Sequence, residues 1–366
     1  MIHVVKHINC FCIKRLTSYI RLKLVNLNCI LYMKRVSLKT IADNLGVSIA
    51  TVSIVLSDKN KKGRVSEETS RKILDKAKEL NYMPNTLAKG LRMGSSKTIG
   101  LVIADISNVF FGTLALHIQE YAEKEGYAII IVNTSEKFDK MEKMIKLLKA
   151  RQVDGFIITP TENSKSLIKD LSTENTPFVL VDRTFPDLQV NSVLINNYEI
   201  SFKSTQQLIQ QGCRNIGLIT YKQDQFHINE RRRGCVDALK EAGIYNLENI
   251  KEVRYDHLKC DIDNEIYNLI IKEKKIDGIF FTTNSISMNG VRSLIKNNID
   301  IPRDIQIMCF DESDAFYLLP YSVPFIKQPI ELMAQESMKL LIDNIKMEKG
   351  DCEIKQRIID AELIVV

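Results

Sequence analysis

The most restrictive feature of this 366-residue chain is that it repeats itself. Thr98-Ile99-Gly100-Leu101 is echoed by Asn215-Ile216-Gly217-Leu218, and Val153-Asp154-Gly155-Phe156 by Ile276-Asp277-Gly278-Ile279. Each echo lies in a short apolar run of the kind a strand buried on both faces requires. The first set of runs comprises Ile99–Ala104, Ala128–Asn133, Gly155–Pro160 and Phe178–Asp182, with amphipathic stretches such as Gly112–Gly126 and Lys137–Ala150 between them. This pattern predicts two similar α/β lobes from residue 98 onward, each a doubly wound parallel sheet. Sheets of that kind bind ligands beyond the carboxyl ends of their strands, so the cleft between the lobes is where a small molecule belongs.

Upstream, Ser37–Ser57 reads SLKTIADNLGVSIATVSIVLS, with Ile41, Leu45, Val52 and Val55 at helical spacing around Gly46. Two short helices meeting at a glycine turn are predicted, which is a small all-α helix-turn-helix pattern. Ser48 is placed to cap the second helix, which then presents Ile49, Ala50, Ser53 and Ile54 on its outer face. A third helix begins after its own cap, Ser66, with Ile73, Leu74, Ala77 and Leu80 as its buried stripe. Asn81-Tyr82-Met83-Pro84 stops it.

Charge divides the chain in the same place. Residues 1–98 carry 19 Lys and Arg against 6 Asp and Glu, whereas the remainder carries 32 against 39. A basic head on a mildly acidic body suits a part that meets phosphates joined to a part that does not. The eight cysteines form no CxxC pair and the five histidines no cluster, so the thiols are read as reduced in a cytoplasmic protein and no metal or cofactor is expected. Enzyme classes lack their parts: there is no GxSxG, no P-loop and no glycine fingerprint after a strand. Residues 1–32 hold five Lys and Arg, no acidic residue and no apolar run long enough to span a membrane. They are read as a poorly ordered basic leader, or as sequence upstream of a start at Met33.

Thr51, Val52 and Ser53 within SIATVSIVLS, followed by RVSEETSRKILDKAKELNYMPNTLAKGLRMGSSKTIGLVIADISNVFF, closely resemble the LacI family of bacterial transcription regulators. The resemblance runs from Ser37 to the C-terminus and is most specific in its first sixty or so residues. It implies a helix-turn-helix DNA-binding domain over 33–83, a hinge over 84–97, and a periplasmic-binding-protein-like core over 98–366. The first lobe is expected over 98–197 and 327–350 and the second over 198–326 and 351–366, with a final strand pair in the tail. The resemblance also implies a homodimer that binds double-stranded operator DNA, answers to a small effector in the cleft, and represses carbohydrate-utilisation genes. By the same resemblance Leu91 is the leucine that enters the minor groove and Ala88 the close-contact alanine. The DNA-contacting set is then Ser37, Leu38, Ser48, Ile49, Ala50, Thr51, Ser53, Ile54, Arg64, Ser66, Asn85, Ala88, Lys89 and Leu91.

Effector contacts are expected just past strand ends: Asp105, Phe110 and Phe111 after the first strand, Thr159 after the third, Arg183 after the fourth. The second lobe adds Arg231, Asn284 and Asp311, the first two at positions where the family meets its sugar or nucleobase. Carboxylates and arginines facing across a cleft suit a hydroxyl-rich ligand, because each makes oriented, bidentate hydrogen bonds. The chain departs from the family's pattern at Ser285, usually aspartate, and in its reading helix, where Ile54 stands in place of a common arginine. It also has no tryptophan to stack under a sugar ring. A soluble sugar-binding receptor with the same core is the competing reading. It needs an export signal and no DNA-binding head, and this sequence has the reverse.

Overall fold

The computed structural model describes residues 36–56, 65–83, 94–272, 276–347 and 353–365. The chain divides between residues 86 and 87 into two compact units.

The head is three helices: α1 (Leu38–Leu45), α2 (Ile49–Leu56) and α3 (Glu67–Glu79). Each starts on a serine cap. Ser37 and Thr40 exchange bonds, each backbone N–H donating to the other's hydroxyl at 3.2 Å. Ser48 Oγ accepts from Thr51 N at 3.0 Å, and Ser66 Oγ from Thr69 N at 3.2 Å. Such caps satisfy N–H groups that have no partner within the helix. Gly46 ends α1 at φ +64°, a left-handed conformation natural to glycine, and the two helices bend by 115° across that turn. Ile41, Ala42, Val52, Val55, Ile73 and Ala77 fill the core between them. Leu74, expected in the buried stripe of α3, is instead exposed, because a core this narrow admits only the Ile73 and Ala77 row.

The second unit holds two six-stranded sheets with the orders β11-β5-β4-β3-β1-β2 and β12-β10-β9-β8-β6-β7. The first lobe runs β1 (Thr98–Ile103), α4 (Val109–Lys124), β2 (Ala128–Asn133), α5 (Phe138–Ala150), β3 (Gly155–Ile158), α6 (Lys165–Thr173), β4 (Phe178–Val181), β5 (Ser192–Ile195). The second runs α7 (Asn197–Gln210), β6 (Ile216–Tyr221), α8 (Phe226–Glu241), β7 (Ile250–Val253), α9 (Leu258–Ile266), β8 (Gly278–Phe281), α10 (Asn284–Lys296), β9 (Gln306–Phe310), β10 (Phe325–Lys327). The chain then returns to the first lobe for α11 (Ile330–Lys346), which packs against α4 and β3 to β5.

The tail corrects the expected division of lobes. Gln356–Ile359 (β11) pairs in parallel with β5 of the first sheet, and only Glu362–Ile364 (β12) reaches the second, antiparallel to β10. The two tail strands therefore do not pair with each other. Asn196, at the first crossing between lobes, fixes this path: its Nδ2 donates to Asp360 and its Oδ1 accepts from Ala361 N, both at 2.9 Å.

The repeated motif has a physical reason. Asp154 accepts from the backbone N–H of Ser96 and Lys97 at 2.7 and 3.0 Å, and Asp277 from those of Arg214 and Asn215 at 2.9 Å each. In each lobe, this aspartate ties the approach to the first strand onto the third. The glycine that follows it gives a neighbour room: a Cβ on Gly155 would lie 2.9 Å from Leu341, and one on Gly278 2.9 Å from Cys213.

Candidate functional site

Two surfaces carry the predicted residues. In the head, Val52 and Val55 face the core, which turns Ile49 and Ala50 outward; Ile49 is 48% exposed. Thr51, Ser53 and Ile54 are half-buried on the flank of α2. Ser37, Ser48 and Ser66 stand exposed at helix starts, where N–H groups favour an anion such as a phosphate. Leu38 is half-buried and packs on the head core, so part of its role is structural. Arg64, Asn85, Ala88, Lys89 and Leu91 lie outside the described residues, as do residues 1–32.

In the second unit, loops at the carboxyl ends of both sheets surround a small cavity of about 50 Å³. Asp105, Phe110, Phe111, Arg183, Arg231, Asn284 and Asp311 all line it, together with Ser285. Thr159 does not. Its N–H continues the strand ladder to Val102 O at 2.8 Å and its side chain is fully buried, so the loop proper begins one residue later.

Arg183 is spent within the protein. Its Nη1 and Nη2 donate to the two carboxylate oxygens of Glu136 at 2.8 and 2.6 Å, and Nε reaches Asp182 at 3.3 Å. Burial opposes its charge, but these two carboxylates outweigh burial and hold its pKa above the ordinary value. Arg231 is placed differently. Nε donates to Asn197 Oδ1 at 2.7 Å, Nη1 to the Thr282 carbonyl at 2.9 Å, and the guanidinium lies 3.6 Å over the Phe310 ring. Among the described residues no carboxylate forms a salt bridge with it. Burial lowers its pKa to about 10, while the more distant Asp182 and Asp311 oppose that shift. It remains a cation at neutral pH, aligned by neutral partners.

Asp182 and Asp311 occupy matching places at the ends of β4 and β9, both with φ +67°. Burial raises both carboxyl pKa values against the pull of the arginines. Asp311 also accepts from Gln328 Nε2 at 2.6 Å, which connects the cavity to the second crossing between lobes. His227 is fully desolvated beside Arg183 and Arg231, so its pKa falls well below the usual value and the ring is neutral. Two hydrogen bonds join the lobes: beside this cavity Tyr255 donates its hydroxyl to Asp105 Oδ2 at 2.8 Å, and farther along Asp224 N donates to Glu162 at 2.8 Å.

Glu136, Tyr255, Gln225 and Asn108 also line the cavity and were missed by the sequence reading. The strand-end rule would have found the first three had it been applied to every strand, since they follow β2, β7 and β6. Asn108 signals itself as the cap of α4, its Oδ1 accepting from Phe110 N at 3.0 Å.

A helix-turn-helix head attached to a two-lobed core with a polar cleft defines a ligand-responsive DNA-binding regulator. A family model described as bacterial regulatory proteins, lacI family, matches residues 37–85, and one described as periplasmic binding proteins and sugar binding domain of LacI family matches residues 96–364. The chain belongs to the LacI family of bacterial regulatory proteins, and it is a transcription regulator rather than an enzyme. It is 31% identical over 331 residues to the HTH-type transcriptional regulator RegA of Clostridium saccharobutylicum, covering 90% of this chain and 97% of that protein. It is also 31% identical over 315 residues to the ribose operon repressor of Halalkalibacterium halodurans, covering 86% of this chain and 92% of that one. Among solved structures it resembles the lac repressor dimer bound to operator and the anti-inducer ONPF, with a TM-score of 0.78 and 19% identity over 91% of this chain and 98% of that one.

Proposed function

We propose that the protein represses carbohydrate-utilisation genes as a cytoplasmic homodimer, with operator affinity set by a neutral, hydroxyl-rich effector in the cleft. One observation carries the reading: Arg231 is buried, aligned by Asn197 and Thr282, and among the described residues has no salt-bridge partner, which leaves Nη2 for a ligand. Around it the cavity lining holds four carboxylates, Asp105, Glu136, Asp182 and Asp311, against two arginines. This mixture of carboxyl groups and guanidinium groups suits hydroxyl groups, which both donate and accept. The names of relatives, the ribose operon repressor among them, agree with a sugar.

The test is operator release. The full-length chain, bound to DNA selected from a random pool, is titrated with neutral sugars and polyols and followed by fluorescence anisotropy. At least one is expected to release the DNA and to raise the melting temperature of the protein by mass action, RT ln(1 + [L]/Kd). Failure of every neutral sugar and polyol in both assays would sink the carbohydrate reading.

For the reading helix we propose that the apolar tip formed by Ile49, Ala50 and Ile54 contacts thymine methyl groups, while Ser37, Ser48, Thr51 and Ser53 anchor phosphates. Arginine makes the commonest guanine contact, bidentate to O6 and N7. Ile54→Arg is therefore expected to move one position of each selected half-site from thymine to guanine, and an unchanged selected motif would show that Ile54 does not face the bases.

A further inference from the structure

Beside the inner cavity lies a second, larger one of about 540 Å³, built from the loops after β3 and β4 on one side and the start of α8 on the other. The two share Arg183 and Gln225 as lining residues. Gln225 is only 6% exposed, yet neither its amide nitrogen nor its amide oxygen has a hydrogen-bonding partner. Thr184, also 6% exposed and lining the outer cavity, has an unpartnered hydroxyl. Buried polar atoms are ordinarily satisfied, and leaving them so costs free energy that a ligand recovers. Here three such atoms belong to residues that border the outer cavity, and one of those residues borders both.

We infer that the effector is a neutral ligand of two linked sugar-sized units, one in each cavity, with Gln225 at the junction and Thr184 holding the outer unit. This rests on the carbohydrate reading above and narrows it. Phe185 and Phe226 line the outer cavity and provide apolar faces for a sugar ring. The cations there are already engaged, Lys165 by Asp187 and Arg183 by Glu136, while Glu162 and Asp224 add negative charge. A phosphate or carboxylate on the outer unit would meet repulsion and no free cation among the described residues. The Asp224 to Glu162 bond joins the lobes at this cavity, so the outer unit meets the lobe contact directly.

The test is calorimetric titration of the full-length chain with cellobiose, maltose, lactose and sucrose, their component monosaccharides glucose, galactose and fructose, and glucose 6-phosphate. One disaccharide is expected to bind at least roughly tenfold tighter than either of its monosaccharides, with the phosphate ester weakest. Asn163→Trp and Asn229→Trp, at exposed positions of the outer lining, should fill it and reduce that preference to within about twofold. Thr184→Val, which removes only the hydroxyl, should weaken the disaccharide by roughly threefold to tenfold and spare the monosaccharide. A monosaccharide that binds as tightly as every disaccharide containing it, or a preference that survives both tryptophans and the valine, overturns the inference and leaves the carbohydrate reading standing. No binding by any of these sugars would also overturn the inference, while the carbohydrate reading is decided by the operator-release titration with all neutral sugars and polyols.

Discussion

Arg231→Met is expected to abolish effector binding while leaving operator binding intact. The guanidinium is surrounded by groups that only it satisfies: Asn197 Oδ1, the Thr282 carbonyl and the π face of Phe310. It is also the cation that offsets Asp182 and Asp311, whose carboxyls burial already raises above the usual range. Truncating one partner of a buried, charged hydrogen bond to a ligand costs about 2–5 kcal/mol of binding, which corresponds to a loss of affinity on the order of 10²–10³. Methionine fills the volume without the charge, so the fold survives and the DNA-bound state becomes insensitive to effector. A second readout follows from linkage. Without the arginine both aspartates hold their protons at still higher pH, so the folded chain binds more protons than the unfolded one above the ordinary Asp value of 3.8. The variant should therefore melt higher as pH falls from 7 toward 5, more steeply than the wild type. An effector response retained within tenfold would show that Arg231 does not carry recognition.

Gly234→Ala should be the most damaging single-methyl change in the core unit. A Cβ at this position would stand 2.3 Å from the Tyr198 carbonyl oxygen and 3.0 Å from Phe202 N, so the obstacle is the backbone of α7, which cannot rotate aside. The two helices must separate, at a cost of about 3 kcal/mol and a melting temperature lowered by roughly 5–10 °C. Separation also draws Arg231, three residues earlier on α8, away from Asn197 at the start of α7, so effector affinity falls with stability. Gly112→Ala is the control. Its nearest atom would be Ile106 O at 3.9 Å, and alanine in a helix interior gains about 0.5–1 kcal/mol over glycine. Equal melting temperatures for the two variants would refute the close approach of α7 and α8.

What could be read in advance depended on whether the signal was local. Serine caps, the glycine turn and the apolar strand runs are written within a few residues, and Ser48, Ser66 and Gly46 all act as expected. The repeated Val-Asp-Gly and Ile-Asp-Gly segments were recognisable as strands, but the reason for their aspartates was hidden, because the partners of Asp154 lie 57 and 58 residues away. The same distance concealed the pairing of Arg183 with Glu136 and of Tyr255 with Asp105, 47 and 150 residues apart. Thr159 was misplaced by a single position at the strand end, where alternation turns successive side chains to opposite faces. The path of the tail had no readable signal, since Gln356, Arg357 and Ile358 are all exposed and suit either sheet edge.

The three crossings between lobes also bear on how the protein is made. A ribosome delivers β1 to β5 first, yet the first lobe cannot complete its core until α11 and β11 emerge, after all but the last strand of the second lobe has been synthesised. Domains usually fold in the order of their synthesis. Here the head, complete by Glu79, is free to fold long before either lobe is finished, and the first lobe must wait with one face uncovered. For most of translation the nascent chain carries a reading head with no completed cleft behind it, and responsiveness to effector arrives only with the last few residues.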